Sequence, residues 1–301
     1  MPDEIAAAFA AFEAVLAPSA EEALECELWL GALVPDLLTQ PGVRGVSASG
    51  SWAHGTAVRG WSSVDLLVHL PGARPRSASR AVEVLASAVG GVRPGEATGR
   101  VEISGGDSLI VPRIGTAGIR LIPVFASAGP AAEQGGSGEV LWVPDAAHRW
   151  VRHRSGAREM LLSRIDDDGA VRSLIRLLLA WKHRHGIAVS SYYLETLALR
   201  QALGQRSFSL LWDLCWLWER LALEGLVPVP DLTSPSQTQP VRPAASIARA
   251  VEAQYPVERA ATSARGAVNA YMDGDLDRAG AYLAAIFGDD FPQLDGAIAI
   301  D

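Results

Sequence analysis

The residues with the most chemistry in their side chains and spacing lie in one stretch, "GSWAHGTAVRGWSSVDLLVHL", residues 50–70. Gly50-Ser51 opens a turn whose backbone N–H groups could cradle a phosphate. The apolar run "VDLLVHL" reads as a strand. Side chains two apart on a strand point the same way, so Ser63 and Asp65 share a face. A carboxylate there can bind a hard cation, or orient a base. His54 and His69 flank the same strand, and a histidine beside an aspartate can take a proton near neutral pH. His54, in the loop between the two elements, is expected to line the site. The bland reading of each lone histidine is a surface or satisfied packing residue.

The elements around these residues predict a mixed sheet. A helical stretch over about 3–40 comes first, with Ser19 and Glu22 spaced as a capping box. "GVRGVSASG" gives a short strand and turn, "RSASRAVEVLASAV" a helix, and "RVEIS", "SLIVPRI" and "GIRLIPVFA" further strands. "SAGPAAEQGGSGE" reads as a flexible loop. From "DAAHRWVRHRSGAREMLLSRI" onward the pattern is one of successive helices. The expected class is α+β: a sheet lobe with N-terminal helices over 1–140 and a helical lobe over 141–301.

Composition narrows the function. A net charge of -8 argues against a nonspecific nucleic-acid coat. Lys182 is the only lysine, so lysine-dependent chemistry has one candidate. Cys26 and Cys215 sit among apolar residues and read as buried thiols. The acidic N-terminus lacks the basic region of a signal peptide, and no run reaches the ~18 apolar residues of a membrane span. A cytoplasmic protein is expected, with no membrane partner and with protein partners unspecified. The tryptophans Trp212, Trp216 and Trp218 read as core. Asp166–Asp168 read as a solvated turn with a helix cap rather than a metal cluster. The pairs His148/His153 and His183/His185 have no metal-ligand company and read as solvated helix faces.

Taken together, the motifs resemble the bacterial cGAS-like and oligoadenylate-synthase-like nucleotidyltransferases, the CD-NTases. That resemblance rests on Gly50-Ser51, Gly55-Thr56, Ser62-Ser63-Val64-Asp65, "RLIP" at 120–123, "LIRLLLAWK" at 174–182, Ser191-Tyr192 with Glu195, and "IFGDDFP" near the end. It spans nearly the whole chain, in order. It implies a polymerase-beta-like sheet lobe and a helical lobe with the active site in a cleft between them. In such enzymes two Mg²⁺ ions clamp the entering and leaving oxygens of nucleotidyl transfer. The family supplies three carboxylates for them, two at D-x-D spacing and one from a neighbouring strand.

Three departures set this chain apart. Ser63 stands at the first carboxylate position, Asp65 at the second and Arg120 at the third. Three negative charges become one negative and one positive. A guanidinium attracts a carboxylate by about 4 kcal/mol at 4 Å and an effective dielectric near 20. Arg120 is therefore expected either to pair with Asp65 or to hold a phosphate or carboxylate itself. The family's triphosphate-reaching lysine aligns with Leu179, and Lys182, a helical turn away, reads as a solvated surface residue. Asp107, Glu102 and His69 are the residues that could refill the metal site, in a register the sequence leaves open. Tyr192 corresponds to a base-stacking position, and Tyr193 could do the same or pack with its hydroxyl satisfied.

The resulting expectation is a nucleotidyltransferase-fold protein that binds a nucleotide or similar anion without metal-dependent transfer, through Gly50, Ser51, Ser63, Arg120, Ser191 and Tyr192. It calls for no cofactor and no metal. A second reading is an enzyme that reuses the cleft for metal-independent acid–base chemistry at Asp65 and His54 in a specialised biosynthetic pathway. A third is a protein-interaction scaffold. An active Mg²⁺-dependent transferase ranks last.

Overall fold

A computed structural model describes residues 3–90, 102–104, 107–113, 116–127, 138–205 and 208–294. All but the ends of the expected flexible loop over 127–139 lie outside the described residues. The chain divides into a sheet unit, Pro18–Ser163 with Pro230–Pro240, and a helical unit, Met1–Ala17 with Arg164–Val229 and Val241–Asp301.

In the sheet unit α2 (Ala20–Leu38) begins with the expected capping box. Ser19 Oγ accepts from the Glu22 N–H at 3.1 Å, and Glu22 Oε2 accepts from the Ser19 N–H at 2.8 Å. There follow β1 (Gly45–Ser49), a single-turn helix α3 (Gly50–His54), β2 (Val64–His69) and α4 (Ala78–Ala88). After them come β3 (Glu102–Ser104), β4 (Ser108–Arg113), β5 (Thr116–Ala126), β6 (Val140–Pro144), β7 (Trp150–Arg154) and α5 (Ala157–Ile165). The strand order is β1-β2-β5-β4-β3, with β6 on the end of β5 and β7 on β6. β2 and β5 run parallel; the other pairs are antiparallel.

The period of two sorts the side chains. Val64, Leu66 and Val68 join Ile119, Leu121 and Phe125 in the core under Leu33 and Leu37 of α2 and Ala81, Val82 and Leu85 of α4. Asp65, Leu67 and His69 lie on the opposite face with Arg120, Ile122 and Val124. There Leu67, Ile122, Val124 and Leu141 form a smaller apolar cluster.

The helical unit holds α1 (Asp3–Leu16), α6 (Ala170–Arg184), α7 (Ser191–Gly204), α8 (Leu210–Glu224), α9 (Ile247–Met272) and α10 (Leu276–Phe287). Aromatic rings build its centre. Trp181 meets Trp218 edge-on at 5.8 Å, Trp218 meets Phe287 at 6.1 Å, and Phe12 meets Phe287 at 5.4 Å. Trp218 is the core residue expected, whereas Trp216 is 39% exposed. Both cysteines are buried and unbridged, and burial lifts the Cys215 thiol to about 11. Among the described residues no helix is long and apolar enough to cross a membrane.

Three expectations change. The division does not fall at 140/141. Residues read as helix carry β7, in which Val140 to Pro144 of β6 pair with Arg154 to Trp150. His153 is thus a partly buried strand residue, not a solvated helical one. Helix α1 belongs with the helical unit because Phe9 and Phe12 pack on Phe287 and Phe291. The acidic run is also less solvated than expected. Asp166, 6% exposed, accepts from the Val171 N–H at 2.7 Å and the Arg172 N–H at 3.2 Å, closing the start of α6.

Candidate functional site

The parallel register of β2 and β5 sets Asp65 beside Arg120, on the face opposite the helices. Arg120 Nη1 lies 3.4 Å from each Asp65 carboxylate oxygen. Its Nη2 lies 3.5 Å from Asp107 Oδ2, and its Nε 3.4 Å from Ser108 Oγ. Ser63 Oγ donates to Asp65 Oδ1 at 3.2 Å, and Ser108 Oγ to Asp107 Oδ1 at 2.9 Å. One guanidinium therefore sits between two carboxylates, each with a serine hydroxyl, and the cluster keeps one net negative charge. The Arg120 side chain is 31% exposed, Asp65 18% and Asp107 19%, so the group is reachable from water. The expected pairing of Arg120 with Asp65 is present; Asp107 is the partner that needed the fold. Asp107 is brought in because β4 pairs Ile110 with Arg120.

Gly50 fixes how α3 approaches this cluster. Its φ is +71°, and a Cβ there would lie 2.5 Å from Asp65 Oδ2. Glycine alone accepts both the left-handed backbone and the contact. Behind it, the Ser51 carbonyl accepts from the Thr56 N–H at 2.8 Å, closing the turn before β2.

The remaining candidates in the sheet unit go elsewhere. His54 is 4% exposed, with Nε2 3.5 Å from Glu159 Oε1, so it does not line an open site as expected. Burial pulls the Glu159 carboxyl up, but the hydrogen bond and charge of His54 outweigh it and leave it below its ordinary value. Nearby, burial and then the Arg158 charge lower His153 to about 4. Arg158, 1% exposed, lies 3.7 Å from Asp231 Oδ1. Asp231 also accepts from the N–H and hydroxyl of Thr233. Nothing in the sequence spacing points to this network, because Asp231 lies in a segment beyond most of the helical unit. His69 is four residues from Asp65, about 13 Å along an extended strand. It is bonded to Ser47 Oγ at 3.0 Å and lies 3.5 Å from Glu139. Burial draws it below its ordinary value against the pull of Glu139. Glu102 is placed by the β3 backbone, opposite Ile110, and its side chain lies outside those described. Among the described residues, no three or more His, Cys, Asp or Glu side chains are grouped to hold a metal ion.

In the helical unit Leu179 is 1% exposed and belongs to the core. Lys182 is not a free surface lysine: its Nζ lies 2.7 Å from Ser191 Oγ, at the first residue of α7. Tyr192 is half-buried. Tyr193 is fully buried and donates its hydroxyl to the Val227 carbonyl at 2.8 Å, so it packs rather than stacks. Burial raises its ionisation well above the ordinary range. Glu195 is 2% exposed. His183 is half-buried, and burial followed by the Lys182 charge lowers it to about 4, which corrects its reading as a solvated residue.

No family model and no curated protein matches the sequence. The fold does match solved structures. CdnC of E. coli MS115-1, in a complex with HORMA-deltaN, aligns with a TM-score of 0.64 at 18% identity over 96% of this chain and 97% of its own. The Bradyrhizobium diazoefficiens CD-NTase CdnG, in complex with GTP, gives 0.64 at 12% over 94% of each. The Vibrio cholerae cyclic AMP-GMP synthase DncV, with a nonhydrolyzable GTP, gives 0.57 at 15% over 83% of this chain and 70% of its own. The α+β chain described above has the nucleotidyltransferase fold of these CD-NTase structures.

Proposed function

We propose that this chain binds a nucleotide or a similar anionic small molecule and does not carry out metal-dependent nucleotidyl transfer. The observation that carries the proposal is the Arg120 guanidinium between Asp65 and Asp107. A Mg²⁺ ion needs oxygen ligands at about 2.0–2.1 Å in near-octahedral array. Here the two carboxylates face a fixed cation instead, and the Ser63 hydroxyl is neutral and given to Asp65. The residues present therefore do not fit a two-metal site. Leu179, buried where a lysine would reach a triphosphate, supports the same reading.

Nucleotides are the favoured ligand class because structures of this fold hold ATP or GTP. On the sheet unit the groups offered are Gly50, Ser51, Ser63 and Arg120; on the helical unit they are Ser191 and Tyr192. The net negative charge of the Arg120 cluster opposes a bare triphosphate until the guanidinium leaves one carboxylate. Affinity is therefore expected to be modest. The acid–base reading has less support, since His54 is buried against Glu159.

Calorimetric titration with ATP and GTP, each in EDTA and in Mg²⁺, followed by product analysis, tests the proposal. Equal binding in both media with no pyrophosphate is the expected result. Mg²⁺-dependent binding with pyrophosphate release contradicts the loss of transfer. Absence of binding in all four titrations contradicts the nucleotide assignment.

A further inference from the structure

Helix α2 carries more apolar surface than its place in the sheet unit uses. Cys26, Leu33 and Leu37 turn inward and join the core with β2 and β5. On the opposite side Leu24, Leu28 and Leu38 are 58%, 67% and 50% exposed. At 3.6 residues per turn they fall with Pro35 in one stripe that runs nearly the length of the helix. A helix packed on a sheet needs one apolar face. A second, continuous and bare to water, marks a surface made for contact.

The stripe has a hole in it. Leu28, Gly31, Ala32 and Pro35 stand at i, i+3, i+4 and i+7, the four positions that surround a knob when two helices pack. Gly31 and Ala32 are its low sides, and Leu28 and Pro35 its ends. All four are exposed, and a Cβ added to Gly31 would meet nothing within 4 Å. Pro35 has no N–H, so the Gly31 carbonyl four residues earlier lacks its usual helical donor.

Charge indicates what fills the hole. Glu27 borders the stripe on one side and Glu25 and Asp36 on the other; all three are exposed, and α2 contains no basic residue. We propose that this face of α2 is a docking site for an amphipathic helix of another protein, one with a bulky apolar knob for the hole and lysines or arginines on both flanks. A second copy of this chain would set the same acids against each other. Nucleic acid and anionic lipid surfaces are repelled for the same reason. The helix covers the sheet face opposite Asp65 and Arg120, so docking there leaves their cluster open, and the inference does not rest on the nucleotide reading.

The test is fluorescence anisotropy of a fluorescein-labelled peptide of three LKKLLKL heptads, titrated with the full chain. Saturable binding is expected with a Kd on the order of 10 μM. Leu28→Glu should weaken it about ten-fold or more, although the added negative charge would strengthen a purely ionic attachment. Gly31→Leu, which adds apolar surface but plugs the hole, should weaken it as well. Leu223→Glu, at an exposed leucine of α8, should leave it unchanged. No saturable binding up to about 200 μM, equal or tighter binding by Leu28→Glu, or unchanged binding by Gly31→Leu overturns the proposal. So does sedimentation of the wild-type chain as a dimer that Leu28→Glu dissociates, because the occupant is then a second copy. Positions 28 and 31 face water, and equal melting temperatures separate lost binding from lost fold.

Discussion

The sheet unit carries two charge clusters that use similar residues to different ends. In one, Arg120 lies between Asp65 and Asp107 with about a fifth to a third of each side chain exposed. In the other, Arg158 and Asp231 are almost wholly buried and joined to Thr233, with His153, His54 and Glu159 nearby. Water screens the first, so its pairings contribute little to stability and can be exchanged for a ligand. The second has no solvent to fall back on, and removing either partner takes a charge out of a buried network. Partial exposure leaves the Arg120 cluster reachable by a ligand; burial makes the Arg158 cluster part of the scaffold of the sheet unit.

The contrast can be broken by substitution. Asp231→Ala should have the largest effect, about 3–5 kcal/mol of lost stability by denaturant unfolding, because it takes a buried carboxylate from the Arg158 guanidinium and from the N–H and hydroxyl of Thr233. Next comes acid. The folded-state value of His153 is lowered to about 4 from the ordinary 6.5, so between those values the unfolded chain takes up a proton that the folded chain refuses. Stability should fall as the pH drops through that window, by at most about 3 kcal/mol for this group. His153→Gln should flatten the curve by that share, leaving the similar slope contributed by His183. Gly50→Ala should cost about 1–3 kcal/mol, since it strains a left-handed residue and drives a methyl onto Asp65. Arg120→Ala should change stability by less than about 1 kcal/mol. A loss of several kcal/mol there would erase the distinction between the clusters.

Much of the fold was legible in the sequence. The Ser19–Glu22 box and the strand period around Asp65 are local patterns, and local patterns read directly. What was not legible depends on long-range pairing. Trp150–Arg154, WVRHR, has no strict apolar/polar alternation to mark a strand, and it becomes one because β6 offers it an edge. Asp107 reaches Arg120 through the register of β4 on β5. His54 turns inward because Glu159, over a hundred residues later, meets it there. Lys182 finds Ser191 across the connection between α6 and α7.

The central claim is that Arg120 stands where a divalent cation would otherwise bind. Electron paramagnetic resonance of Mn²⁺ added to the nucleotide-free protein tests it directly. Wild-type protein should leave the aqueous Mn²⁺ spectrum unchanged, while the Ser63→Asp/Arg120→Asp double variant should broaden it. Broadening by the wild-type protein itself would contradict the account.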